Sequence, residues 1–311
     1  MTALEHPHPS AEALALSRGA YDLHVHIDPD VIPRRITDLA LAPRFLERGL
    51  RGFVLKSHYT STAERAAVVN AAVPGIHALG AITLNSAVGG LNALAVEIAA
   101  REGARFVWLP TVDAQNEEQE HAIRPPGAQL PLWAKLQQEL RERGLSVPAV
   151  PVLNEQGQIL RALREVLEVV AAHGLVLATG HLSRDEIFKV VDAAQEARVE
   201  HIVVTHPDYP TQNLSPEDQV TLARQGAWME RCAAPSHSGK VPWERLFAAT
   251  RAVGPERTVF STDFGQPANP PVEDGLPLMI DQFLAAGFAP ADVQRMTVTN
   301  SVLLAGSAVT A

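Results

Sequence analysis

Cysteine is nearly missing: Cys232 is the only one in 311 residues, which excludes an intrachain disulfide framework and accords with a reducing cytoplasm. Long apolar runs are missing as well. No stretch is long enough to cross a bilayer, so no membrane partner is expected. The segment Met1 to Ala20 lacks the basic start and long apolar core of a secretory signal, so a cytoplasmic location is expected. There is no run of like charge, and a formal charge of -9 leaves no surplus of lysine and arginine to meet phosphates, which argues against nucleic acid as a partner. A glycine-rich phosphate loop of the dinucleotide-binding kind is also absent. What remains, 46% hydrophobic and 20% charged, is the composition of a soluble globular protein, long enough for one large α/β barrel or two ordinary domains.

What is present is a rhythm. Helical segments closed by glycine alternate with short β-branched runs: Ile36 to Arg48 then Gly52 to Ser57, Thr62 to Val73 then His77 to Leu84, Leu91 to Arg101 then Arg105 to Leu109. The rhythm breaks between Asp113 and Gln156, where Pro125-Pro126-Gly127, a helix near Leu132 to Arg143 and a hairpin around Val147 to Gln158 read as an insertion, at about 113–157, within one domain spanning 1–311. It then resumes. Ile159 to Ala172 is followed by Leu175 to Thr179. The capping box Ser183-Arg184-Asp185-Glu186 opens the helix before His201 to Thr205, and further helices precede Ala227 to Glu230 and Thr258 to Thr262. Eight short strands alternating with helices predict a (β/α)8 TIM-type barrel, in which functional residues sit at the C-terminal ends of the strands.

Twelve histidines stand against three tyrosines, so where they fall matters. Tyr21 to Pro29 alternates apolar and polar residues, which turns His24 and His26 to one side of a strand as half of a divalent-metal site. The second strand ends in Lys56-Ser57-His58, the fifth in Gly180-His181, the sixth in Thr205-His206-Pro207 and the eighth in Thr262-Asp263. All of these fall on the face where barrel loops converge. His6, His8, His77, His121, His173 and His201 fall elsewhere and are expected at the surface.

Here the chain resembles the amidohydrolase superfamily, metal-dependent hydrolases built on a distorted (β/α)8 barrel, and looks closest to a poorly characterised branch. The resemblance is carried by Asp22-Leu23-His24-Val25-His26, Ala178-Thr179-Gly180-His181, Val203-Val204-Thr205-His206, Ser261-Thr262-Asp263 and the asparagine-led segment Thr299 to Leu304. It implies that His24, His26 and Asp263 bind the more buried of one or two divalent ions, and that His181 and His206 bind the second. Zinc is the first expectation, with manganese or iron as alternatives. It also implies a metal-activated hydroxide as nucleophile, with Asp263 taking its proton and passing it to the leaving group.

One feature departs from the common pattern. Strand four ends Val107-Trp108-Leu109-Pro110 and offers no lysine or glutamate to bridge two ions. Lys56 is the substitute: buried as a neutral amine it can add carbon dioxide and bridge as a carbamate, whereas kept charged it pairs with Asp263 or a substrate carboxylate and leaves one ion. Substrate contacts are expected from His58 and Tyr59 after strand two and from Arg231 and His237 after strand seven. Arg231 either holds a carboxylate or pairs with Glu230 or Asp263, and Trp228 is open to being turned outward.

The implied activity is hydrolysis of an amide, lactone or related carbonyl bond in a small molecule, by a chain expected to form homo-oligomers. The alternative is a metal-dependent decarboxylase of an aromatic or unsaturated acid, with Arg231 as the carboxylate anchor. A non-catalytic scaffold is disfavoured, because it has no need of six costly polar groups at one mouth.

Overall fold

The computed structural model describes residues 6–117 and 130–306. His121 and Pro125-Pro126-Gly127 lie outside the described residues. Eight strands, β1 (Tyr21–Val25), β2 (Gly52–Leu55), β3 (His77–Thr83), β4 (Ala104–Trp108), β5 (Val176–Ala178), β6 (His201–Val204), β7 (Trp228–Cys232) and β8 (Thr258–Ser261), pair in chain order. Every pairing from β1 through β8 is parallel, with helices in the connections. This is the (β/α)8 barrel.

The seam between β8 and β1 closes the barrel just beyond the end of β8. Asp263 N–H donates to the His24 carbonyl at 2.8 Å, and His26 N–H to that of Phe264 at 2.8 Å. Lower down, a side chain substitutes for the backbone. The Asp22 carboxylate accepts from Thr262 N–H at 3.0 Å, from the Thr262 hydroxyl at 2.6 Å and from His24 N–H at 3.2 Å. Only glycine fits the next turn: at Gly265, with φ +134°, a Cβ would stand 1.5 Å from the His26 carbonyl oxygen.

Burial raises the Asp22 carboxyl to about 7 even though Thr262 and His24 hydrogen-bond it. Between about pH 4, where the unfolded carboxyl ionises, and about 7, the native state holds a proton that the unfolded state has lost, so stability falls as pH rises and levels off above 7. Asp22→Asn keeps an acceptor for both backbone N–H groups. Urea midpoints of the metal-free protein should therefore show the variant gaining on the wild type across that window, by an order of 4 kcal/mol for a shift of roughly three pH units. A difference that does not vary with pH would show that Asp22 does not titrate there.

Two apolar layers and an inner plug make up the core. Inside the barrel lie Tyr21, Leu23, Phe106, Trp108, Val176 and Trp228, and the C-terminal helix (Asn300–Leu304) adds Val302 and Leu304. Asn300 seats that helix by donating to the carbonyls of Pro255 at 2.8 Å and Thr258 at 2.7 Å. The outer layers pack strand residues such as Val107, Leu177 and Phe53 against the helices. The register of β1 against β2 shifts between Asp22 and Val25. This irregularity lets Leu23 join the inner plug, while Val25 packs outward between the two histidines.

The stretch after β4 holds a helix (Leu132–Glu142), but the expected hairpin is not a pair of strands. It is reduced to single bridges, Ala114 with Val150 and Leu153 with Ile159. Pro148 and Pro151 lie in it, and proline cannot donate to a ladder.

Candidate metal centre

The barrel mouth collects the histidines. His24 Nε2 and His26 Nε2 each lie 3.2 Å from Asp263 Oδ1; His26 and Asp263 line a cavity of about 310 Å³, and His24 is fully buried. Asp263 reaches this position from a left-handed backbone, φ +54°, locked by its N–H to the His24 carbonyl. Burial alone would push its carboxyl up, but the imidazoles of His24 and His26 hold it well below the usual carboxylate range. Lys56 follows β2 with its side chain buried; its Nζ is 2.9 Å from His24 Nε2 and 5.0 Å from the Trp108 ring centroid. Burial pushes that amine below its ordinary value, against the pull of Asp263 and Glu230.

His181 and His206 stand on the wall of the same cavity, their rings 5.0 Å apart, with the His206 ring 6.2 Å from that of His24. His181 follows Gly180, whose φ of +63° and close approach, a Cβ 2.4 Å from the carbonyl oxygens of Leu109 and Pro110, exclude any side chain. Burial lowers His206 to about 3, so it is a neutral imidazole, and its Nδ1 is buried without a hydrogen-bond partner. His58 completes the cluster. Its ring stacks on that of His26 at 4.7 Å, and its Nδ1 is 2.8 Å from the Thr111 hydroxyl.

Four supporting residues were not read from the sequence. Glu230, buried on β7, lies 3.2 Å from His24 Nδ1 and orients that ring. Glu117 Oε1 is 2.9 Å from His181 Nδ1. Asn85 ties the loops after three strands together, donating to the His58 carbonyl at 3.0 Å and the Thr111 hydroxyl at 2.8 Å. Thr111 in turn meets His58. Alternation along β7 could have found Glu230; the others join segments far apart in the chain.

Three expected substrate contacts are not at the mouth. Arg231 is inside β7 rather than after it, and the alternation that sends Glu230 inward sends Arg231 outward, where it is fully buried. Its Nη1 donates to Asp208 and to Gln219 at 2.6 Å, so its acid partner is neither Glu230 nor Asp263. His237 ends the short helix Ala233–His237 and faces a separate pocket with Pro7, His8 and Trp243. Tyr59 does not line the cavity; it stands behind His58, ring centroids 6.1 Å apart. Trp228 is turned inward, into the plug. His77, expected at the surface, is half-buried with Nδ1 2.7 Å from the Tyr21 hydroxyl.

The donor set fits a divalent cation. With Nδ1 donating to Glu230, His24 Nε2 is a lone pair, and it meets a carboxylate oxygen that is also an acceptor, with His26 Nε2 on the other side. Converging lone pairs of two imidazoles and a carboxylate are what zinc and related ions take.

A family model described as a family of unknown function, DUF6282, matches residues 19–230, more than half of the chain. The chain belongs to the DUF6282 family. The matched segment of this DUF6282 chain holds His24, His26, Lys56, His181, His206 and Glu230, while Asp263 lies beyond it. No curated protein matches the chain.

Solved structures share the fold. An amidohydrolase from Pseudomonas aeruginosa, 12% identical, superposes over 94% of this chain and 97% of its own with a TM-score of 0.59. The probable dipeptidase PvdM from Pseudomonas aeruginosa, 11% identical, covers 95% and 97% at 0.62. The dipeptidase AC, a metallopeptidase, is 14% identical and covers 93% and 98% at 0.57. The DUF6282 chain therefore shares its (β/α)8 barrel fold with these structures.

Proposed function

We propose that this chain is a metal-dependent hydrolase that cleaves an amide, lactone or related carbonyl bond of a small molecule. The observation that carries the reading is the convergence of His24 Nε2 and His26 Nε2 on Asp263 Oδ1, beside a cavity that His26, Asp263, His181 and His206 all line. His24, His26 and Asp263 would hold one ion, zinc in the first place, and His181 and His206 a second. A divalent ion there supplies Lewis acidity and lowers the pKa of water, making a nucleophile available at neutral pH.

The chain's own groups do the rest. Asp263, ionised and touching both imidazoles, takes the proton of the attacking water and returns it to the leaving group. His58, buried and held by Thr111, stands beside His26 where it can donate to the carbonyl oxygen. Glu230 keeps His24 in the tautomer that presents Nε2. Burial and a bound cation would both disfavour Lys56 as an ammonium 2.9 Å from His24 Nε2; as a neutral amine it would be able to add carbon dioxide with release of a proton, and the carbamate would supply the anion that two ions need. The decarboxylase alternative loses its expected anchor, because Arg231 is sealed behind β7.

Elemental analysis of the purified protein, followed by a screen of amides, lactones and aromatic acids, tests the reading. Hydrolysis that a chelator abolishes and zinc restores is expected. Turnover indifferent to chelation, or confined to decarboxylation with a single ion bound, would overturn it.

A further inference from the structure

Two cations line the cavity without a part in the chemistry above, Arg34 and Lys240. The Arg34 side chain is 4% exposed, and its Nε donates to Asp30 Oδ2 at 2.7 Å. Its Nη2 lies 3.4 Å from His26 Nδ1. That second contact is long, and it conflicts with His26 as a ligand. If His26 gives its Nε2 to an ion, Nδ1 carries the proton, and two donors then face each other. Asp30 engages only Nε, so the terminal nitrogens of the guanidinium are left for an acceptor inside the cavity.

The same wall carries a second polar group. Arg35 N–H donates to the Gly265 carbonyl at 2.7 Å and Arg35 Nη1 to the Asn269 carbonyl at 2.8 Å, which brings the 264–269 segment against the one holding Arg34. Asn269 lines the cavity and is buried, yet among the described residues its side-chain Oδ1 has no hydrogen-bond partner. Amide oxygen and nitrogen are interchangeable by rotation, so Asn269 can turn an N–H toward an incoming acceptor.

Lys240 belongs to the opposite side. Its Nζ is 3.2 Å from the Tyr209 hydroxyl, and the Tyr209 ring lies 5.2 Å from that of His206. Among the described residues Lys240 makes no salt bridge. Arg34 thus touches one candidate ligand, His26, and Lys240 stands one side chain away from another, His206. The lining of the same cavity includes the apolar side chains Ile32, Val112, Leu132, Trp133 and Pro235.

Resting on the reading of this cavity as an active site, we propose that its substrate carries a carboxylate on a flat apolar body, and that Arg34 holds that carboxylate while the scissile carbonyl lies at the ions, with exposed Lys240 adding positive potential to the same cavity. A cavity of about 310 Å³ sets the scale at one or two rings. The charged head needs a fork of donors, and the body needs contact with Trp133 and its neighbours.

The probes are benzohydroxamate, whose head group takes the ions, and 3-carboxybenzohydroxamate, which adds only the remote carboxylate. Calorimetric titration of the zinc-loaded protein is expected to give the carboxylate compound an advantage of about tenfold. Arg34→Gln should reduce that advantage, read as the ratio of the two probes' affinities for the same variant, to about twofold or less. Because this change leaves Asp30 buried without its partner, Lys240→Met serves as a second variant, expected to weaken the advantage and its salt dependence. Equal binding of the two probes to the wild type, or an advantage that persists in both variants, overturns the proposal while leaving the hydrolase reading intact. Absence of binding by either probe, with no zinc retained, overturns both.

Discussion

Asp263→Asn is expected to leave the barrel folded and to lower turnover by about 10³-fold, the scale on which a positioned acid or base contributes. The fold should survive for a local reason. Asp263 sits at φ +54°, a left-handed conformation that asparagine adopts nearly as readily as aspartate, and the bond that closes the seam uses its backbone N–H. What the substitution removes is the charge. Burial works against that charge and His24 and His26 sustain it, so the carboxylate persists well into acid; the stability it contributes is present above the unfolded carboxyl range and is lost as pH falls through the depressed native value. An amide gives His24 and His26 an acceptor of a kind but cannot take a proton from water. A cooperative melting curve, lowered at neutral pH and converging on the wild type in acid, together with turnover lowered as stated would support the assigned role; turnover within about tenfold of wild type would remove Asp263 from the proton path.

The barrel was legible because its punctuation is local. Glycine past each helix and a β-branched run after it recur through the chain, and the boundaries read from them lie close to the observed ones: Thr62 to Val73 against Ala63–Ala72, Leu175 to Thr179 against Val176–Ala178. The residues that meet at the mouth were legible for the same reason, since a barrel places every strand's C-terminal end on one face. Errors arose where direction rather than position decided. On β7, Glu230 and Cys232 point inward and Arg231 therefore outward, but the sequence pattern ends the strand at Glu230, two residues before its observed end, and so puts Arg231 in the following loop. The shift in β1 is a property of pairing with β2 and has no mark in the sequence. Glu117 reaches His181 from the stretch after β4, a partnership 64 positions apart that no spacing rule announces. His237 fell on a short helix whose last residue turns to a different pocket, a matter of helix phase.

On the proposed two-ion reading, Lys56→Ala is expected to cost the protein the ion assigned to His181 and His206 while the one assigned to His24, His26 and Asp263 is kept. The physical question is what neutralises two cations brought close together, and among the residues at the mouth the choice is narrow. Strand four contributes Trp108, whose ring lies against both Lys56 and His24, so no anion comes from there. Glu230 is committed to His24 Nδ1, on the far side of that ring from Nε2. Lys56 is left, with its amine already pushed down by burial and its Nζ in contact with a ligand nitrogen. If it carries a carbamate, formate or acetate should restore part of the lost metal in the alanine variant, and labelled bicarbonate should give a carbamate carbon signal in the wild type. Lys56→Met, which keeps the apolar stem against Trp108, separates loss of the anion from loss of packing and should behave as the alanine variant does. Unchanged metal content in both variants would instead assign Lys56 a permanent positive charge, and the centre would then be a single-ion site in which the lysine supplies the second cation.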